Sequence, residues 1–273
     1  MTTLAQGSVP TTTVPQPKRR PRRSWRRLAL PFAGAAVLMV LWQLVCSVFS
    51  VPTYIMPKPT DVSATMTSEW SLIFTHLKPT LFETLAGFII GNVVAVLLAV
   101  WFVHWRSAER ALMPVAIFIR TIPIVAIAPV LVIMLGNGYA PKIAIAALIS
   151  FFPTLVNMVK GLDSIDRQAI ELMRVLSASR RETFFKVRVF ASLPYLYASL
   201  KIATGNALIG AIVAEWIGSQ QGLGYLIIQS TYNYDTPLLY SVMVVASLIA
   251  VVLYALVELA EHLTVKWNPK ETP

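Results

Sequence analysis

Long apolar blocks divide this chain: Leu28 to Phe49, Thr80 to Val103, Ala111 to Leu135, Lys142 to Lys160, Ala191 to Ala214 and Leu238 to His262. A helix of about 20 residues spans the roughly 30 Å of hydrocarbon in a bilayer, so each block has the length of a crossing. Hydrophobic residues make up 56% of the chain and charged residues 13%, against roughly 25% charged in soluble domains. One large soluble core is therefore excluded. The expected fold class is all-α: a polytopic membrane bundle of about six transmembrane helices over residues 28–273, with both termini on one side. The single cysteine, Cys46, sits inside the first block, which leaves no partner for an intrachain disulfide or a thiolate metal cluster.

Residues 1–27 are rich in Thr, Pro and Gln and end in the run KRRPRRSWRR. Such a segment cannot bury enough surface to fold alone, and a disordered basic tail is expected. The block that follows is longer than a signal-peptide h-region and has no clear small-residue cleavage site, so it is expected to remain as a helix.

Basic residues set the orientation. With the N-terminus inside, the inner segments hold 18 of the 23 Lys and Arg residues and the outer ones only Lys58, Lys78 and Lys142. That is a strong positive-inside bias. It accounts for the net charge of +10 without nucleic acid as a partner, and it places the tail beside anionic lipid.

The connection between the fourth and fifth crossings, Gly161 to Phe190, is not a plain linker. After Asp166, a helix-capping residue, Ala169, Ile170, Met173 and Leu176 recur at three- and four-residue spacing, and Arg174 lies near the end of that stretch; this is an amphipathic helix ending near Ser177. Ser179, Arg180, Arg181 and Glu182 then form a capping box for a second helix through Phe184 and Val187. Such a pair either lies against lipid or its own bundle, or is covered by a partner protein. The residues alone leave both readings open.

This loop resembles the EAA loop of binding-protein-dependent ABC importer permeases, whose usual pattern is Glu-Ala-Ala-x-x-x-Gly followed by Ile-x-Leu-Pro. Glu171 takes the Glu position, Leu172 and Met173 replace the two alanines, Ser177 replaces the glycine, and Val187, Val189 and Phe190 replace Ile, Leu and Pro. IMPKPTDV at 55–62, RTIPIVAIAPVLVIMLGNG at 120–138 and AEWIGSQQGLGYLI at 214–227 resemble segments of the nitrate, sulfonate, taurine and bicarbonate permease branch of that type I family. The resemblance implies that Glu171, Arg174, Ser177 and Ala178 couple this chain to an ATPase. It further implies two separate ATPase subunits carrying ATP and Mg, a second permease copy in a homodimer, an extracytoplasmic solute-binding protein, and a place in the bacterial inner membrane. The implied solute is a nitrate-, sulfonate- or taurine-like anion, or a pyrimidine or riboflavin-type precursor.

Within the crossings, Gly87 and Gly91 form GxxxG, and Ala203, Ala207 and Ala211 a small-residue stripe; both are expected to be close-packing faces. Pro114, Pro123 and Pro129 punctuate the third crossing, as kinks that border a pathway or as plain structural features. Arg120, Asn157, Lys201, Asn206 and Glu215 lie in or beside apolar blocks and need partners or water. Arg120 either faces the translocation cavity or pairs with Glu83 or Glu215. Glu215 heads a segment whose glycines, Gly218, Gly222 and Gly224, suit a tight turn or re-entrant piece. Arg120, Pro123, Glu215 and Gly222 are therefore the gate or pathway candidates.

The sequence contains no G-x-x-x-x-G-K-[ST] phosphate loop and no H-E-x-x-H, and His76, His104 and His262 are isolated. No catalytic or metal-binding residue is assigned, and ATP hydrolysis is expected on another chain. The rival reading is a secondary transporter or channel, which would use intramembrane acidic relays or inverted repeats.

Overall fold

The computed structural model describes residues 24–265, with side chains described from residue 33 onward; most of the expected tail, and Lys266 and Lys270, lie outside the described residues. No strand occurs among them, and the helices form a membrane bundle. Helix α1 covers Ser24–Val48, so it begins four residues inside the segment expected as tail; within its described side chains, Ala33–Val48 is apolar. A short helix, α2 (Pro59–Ser68), was not expected; it starts at the second proline of IMPKPTDV, as suits the first turn of a helix. Helix α3 runs Trp70–His104, ten residues earlier than the apolar block, and at 35 residues it is roughly 52 Å long.

The third block is not one helix. It divides into α4 (Arg106–Thr121) and α5 (Ile124–Leu135), which meet at 98°. The cause is Pro123: it has no amide to donate and forces the residue before it out of the helical region, and Ile122 has φ −70° and ψ 125°. Pro114 and Pro129 stay inside their helices. Helix α6 covers Tyr139–Asp163. The loop contributes α7 (Arg167–Val175) and α8 (Arg180–Thr183), and a π-helical turn, Phe184–Arg188, joins α8 to α9 (Val189–Glu215). The second loop helix is thus the start of one continuous rod, Arg180–Glu215, and not a separate element. The expected tight turn lies at 216–222, with Gly218 and Gly222 at positive φ, and leads into a short helix, α10 (Leu223–Tyr232); α11 (Thr236–Thr264) completes the bundle.

Four helices, α3, α6, the rod ending in α9, and α11, are long and apolar enough to cross alone, and the bent α4–α5 pair makes a fifth crossing if counted as one. The expectation of six reduces to these plus α1, whose described apolar stretch is shorter.

Helix α6 is central, packed between α3 and α9. Small residues permit this. A Cβ on Gly87 would meet Ala146 and the backbone of Ala147, one on Gly91 would meet Ala147 and Ser150, and one on Gly210 would approach Ala146 Cα to 2.9 Å. Both faces of α6 at Ala146 are therefore touched by glycine backbone, and Ala203, Ala207 and Ala211 of α9 are fully buried. Close backbone approach is the principal source of helix association in lipid, with buried hydrogen bonds as a second. Thr154 of α6 donates to Asn92 Oδ1 of α3, while Asn92 Nδ2 donates to the Phe88 carbonyl at 2.6 Å.

Candidate functional site

Two regions at opposite ends of the bundle concentrate the candidate side chains. The loop between α6 and α9 is the first. Asp166 caps α7 by accepting from Gln168 N at 3.2 Å. At the other end of α7, Ser177 N donates to the Arg174 carbonyl and Ala178 N to the Met173 carbonyl, each at 2.9 Å. This bond pair is a Schellman termination, which requires a left-handed residue and usually recruits glycine. Ser177 occupies that conformation at φ +52°. The serine standing where the EAA pattern has glycine therefore keeps the turn, at a backbone cost of about 1 kcal/mol. The predicted capping box is present: Glu182 N donates to Ser179 Oγ at 3.2 Å and Ser179 N to Glu182 Oε2 at 2.9 Å.

The loop is anchored from outside itself. Arg106 at the start of α4 grips Asp163 at the end of α6 with two bonds, 2.6 and 2.7 Å. Arg188, in the π-helical turn, donates to the Leu162 carbonyl at 3.3 Å and lies 3.5 Å from Asp163. Sequence reading missed this anchor. Ala169, Ile170 and Met173 of α7 are half-buried, whereas Leu172, Val175 and Leu176 are 59%, 81% and 65% exposed, beside exposed Glu171 and Arg174. Ile170, Arg174, Ala178, Arg180 and Arg188 also line a recess of about 500 Å³ with His104. An outward apolar strip on a rigid, doubly capped turn is the chemistry of a docking surface.

The second region joins the end of α9, the start of α10 and α3. Glu215 is 1% exposed and accepts from Thr80 Oγ1 at 2.6 Å and Gly224 N at 2.5 Å. Thr80 Oγ1 accepts in turn from Leu223 N at 2.7 Å, and Gly222 N donates to His76 Nδ1 at 3.1 Å. The first amides of α10, which have no partner within their own helix, are thus met by side chains of α3 and α9. Gly222 has φ +115°, and the Glu215 carboxylate fills the place its Cβ would take. Alongside, Glu83 is wholly buried with Lys142 Nζ at 3.4 Å, and Lys142 donates to Ser219 Oγ at 2.8 Å. Lys142, read from sequence as a plain outer-loop charge, and His76, read as isolated, both belong to this cluster.

The structure brings Glu215 and Gly222 together but holds Arg120 apart from them. Arg120 pairs with neither Glu83 nor Glu215, whose partners are Lys142 and Thr80. It lines a separate cavity of about 290 Å³ with Asn206, beside the α4–α5 break that Pro123 creates. Lys201, the other cation within the blocks, forms an ion pair with Glu261 at 2.6 Å.

This bundle, with a capped, outward-facing helical turn at one end and a buried polar cluster at the other, is that of a polytopic membrane protein. Residues 87–266 match the family described as binding-protein-dependent transport system inner membrane component. The chain belongs to that family and is a multi-pass permease subunit of an ABC importer. It is 33% identical to the formylaminopyrimidine transport permease protein of Halalkalibacterium halodurans, over 92% of this chain and all of that one. It is 34% identical to the riboflavin transport system permease protein of Chloroflexus aurantiacus, covering 96% and 99%. The putative aliphatic sulfonates transport permease protein of Bacillus subtilis is 27% identical, covering 97% and 96%. In architecture the chain is similar to the inward-facing MetNI methionine ABC transporter, with a TM-score of 0.61 at 19% identity over 73% of this chain and 97% of that one; this likeness shows the fold.

Proposed function

We propose that the outward strip of α7 seats in an ATPase subunit and that Glu171, Arg174, Ser177 and Ala178 transmit its movement to the bundle. The carrying observation is the exposed row Leu172, Val175 and Leu176 on a turn whose every end is capped. Two copies of the chain and two ATPase subunits make the working unit, with the loop and the N-terminus on the cytoplasmic side. ATP and Mg belong to the ATPase subunits, and this chain gates without catalysing. ATP binding draws the ATPase subunits together, the anchored loops act as levers, and the population shifts between inward and outward openings. A binding protein delivers solute at the far end, where Glu215 and Gly222 hold the α9–α10 connection as part of the external gate, and the pathway passes Arg120 and the break at Pro123.

The relatives support two solute classes: nitrogen heterocycles, from two relatives at 33% and 34% identity, and organic sulfonates, from one at 27%. The anion reading draws support from the unpaired Arg120 at its cavity. Co-purification of the tagged chain with an ATP-binding-cassette subunit, followed by solute-stimulated ATP hydrolysis, tests the assembly. Charge reversal by Glu171→Lys is expected to separate hydrolysis from uptake or to prevent assembly, and wild-type transport by that variant would remove its role.

A further inference from the structure

The cavity at Arg120 has a composition that selects among solutes. Arg120 lies in the last turn of α4 and Asn206 in α9; the remaining walls are apolar, with Ile124, Ile127, Ile149 and Phe152 among them. Among the described residues, the Arg120 and Asn206 side chains have no hydrogen-bond or ion-pair partner. A charged group in an apolar block without a protein partner marks a functional position by default. Ligand sites commonly combine apolar walls with a few convergent polar groups.

We propose that this cavity binds an organic anion, one oxyanion head on a body about the size of a single ring, with the head on Arg120 and Asn206 and the body among the isoleucines and Phe152. The guanidinium offers two parallel donors to a planar or tetrahedral oxyanion, and the Asn206 amide adds another. An inorganic anion such as nitrate would satisfy those donors yet leave the apolar walls unfilled. It would also give up hydration that two side chains cannot replace. A neutral ring would fill the walls and leave the guanidinium unmatched. This inference rests on the permease reading and narrows its solute.

The test uses the full chain in nanodiscs with its ATPase partner, with Asn206→Cys as the only cysteine after Cys46→Ala. A second variant, Ile209→Cys, reads the same cavity if the first fails to fold. An anionic methanethiosulfonate should react at least about tenfold faster than a cationic one, because a cavity lined by one sign of charge concentrates counter-ions. Benzenesulfonate at millimolar concentration should slow the reaction several-fold, while nitrate and benzyl alcohol leave it unchanged, and Arg120→Gln should abolish both effects. Equal reagent rates, equal protection by nitrate or by benzyl alcohol, or no reaction at either cysteine would overturn the proposal. If no ATPase complex assembles, the permease reading is at fault, and protection is read on the chain alone.

Discussion

The Thr80 hydroxyl joins two helix ends: it donates to Glu215 at 2.6 Å and accepts from the Leu223 amide at 2.7 Å. Both partners are buried, so removing the hydroxyl strands an acceptor and a donor together. Thr80→Val is expected to destabilise the bundle by about 1–3 kcal/mol per stranded group, read as a fall of several degrees in the melting temperature of the purified chain. Thr80→Ser should retain most of the stability. A Thr80→Val chain that melts with wild type would mean that the cluster does not hold α10.

The Glu83–Lys142 pair gives a second prediction, on the sign of a double change. Both side chains are nearly or wholly withdrawn from solvent, 0% and 9% exposed. Losing one partner of a buried pair costs about 3–5 kcal/mol, whereas replacing both with apolar residues is often neutral or stabilising. Glu83→Leu and Lys142→Met should therefore each lower the melting temperature, and the double variant Glu83→Leu, Lys142→Met should recover most of the loss. Additive losses in a thermal-melt cycle would contradict a simple paired role.

At Ser177 the backbone decides the outcome. Its φ of +52° disfavours any Cβ and most of all a branched one. Ser177→Gly should preserve uptake and raise loop stability by about 1 kcal/mol. Ser177→Val should reduce uptake strongly while the melting temperature of the bundle stays near wild type. Uptake by reconstituted vesicles compared with thermal melts separates the two effects, and normal uptake by Ser177→Val would show that the turn is dispensable.

What could be read from the sequence follows the range of each interaction. The crossings were legible because bilayer thickness writes their length into the chain, and the GxxxG pair because its spacing is local. The caps at Asp166 and Ser179–Glu182 were legible for the same reason, their partners lying two and three residues away. The cluster around Glu215 was not, since Thr80 is 135 residues from Glu215 and His76 is 146 from Gly222. Of the three prolines in the third block, Pro123 lies at the break and Pro114 and Pro129 inside helices, and the residue type alone does not tell them apart. The Arg106–Asp163 anchor spans 57 residues and leaves no local pattern. The ten early residues of α3, WSLIFTHLKP, are less apolar than the block, and the π-helical turn that fuses the second loop helix to α9 has no local sequence signature.

On the proposed function, α7 presents its apolar strip to an ATPase subunit. Val175, at 81% exposure, is its most prominent member and touches little of the bundle, so Val175→Asp should leave the fold intact. The direct measurement is the amount of ATPase subunit retained by tagged wild-type and Val175→Asp chains of equal melting temperature. Retention should fall at least about tenfold, the effect of burying an unpaired charge in an apolar contact. Wild-type retention with wild-type uptake would contradict the account.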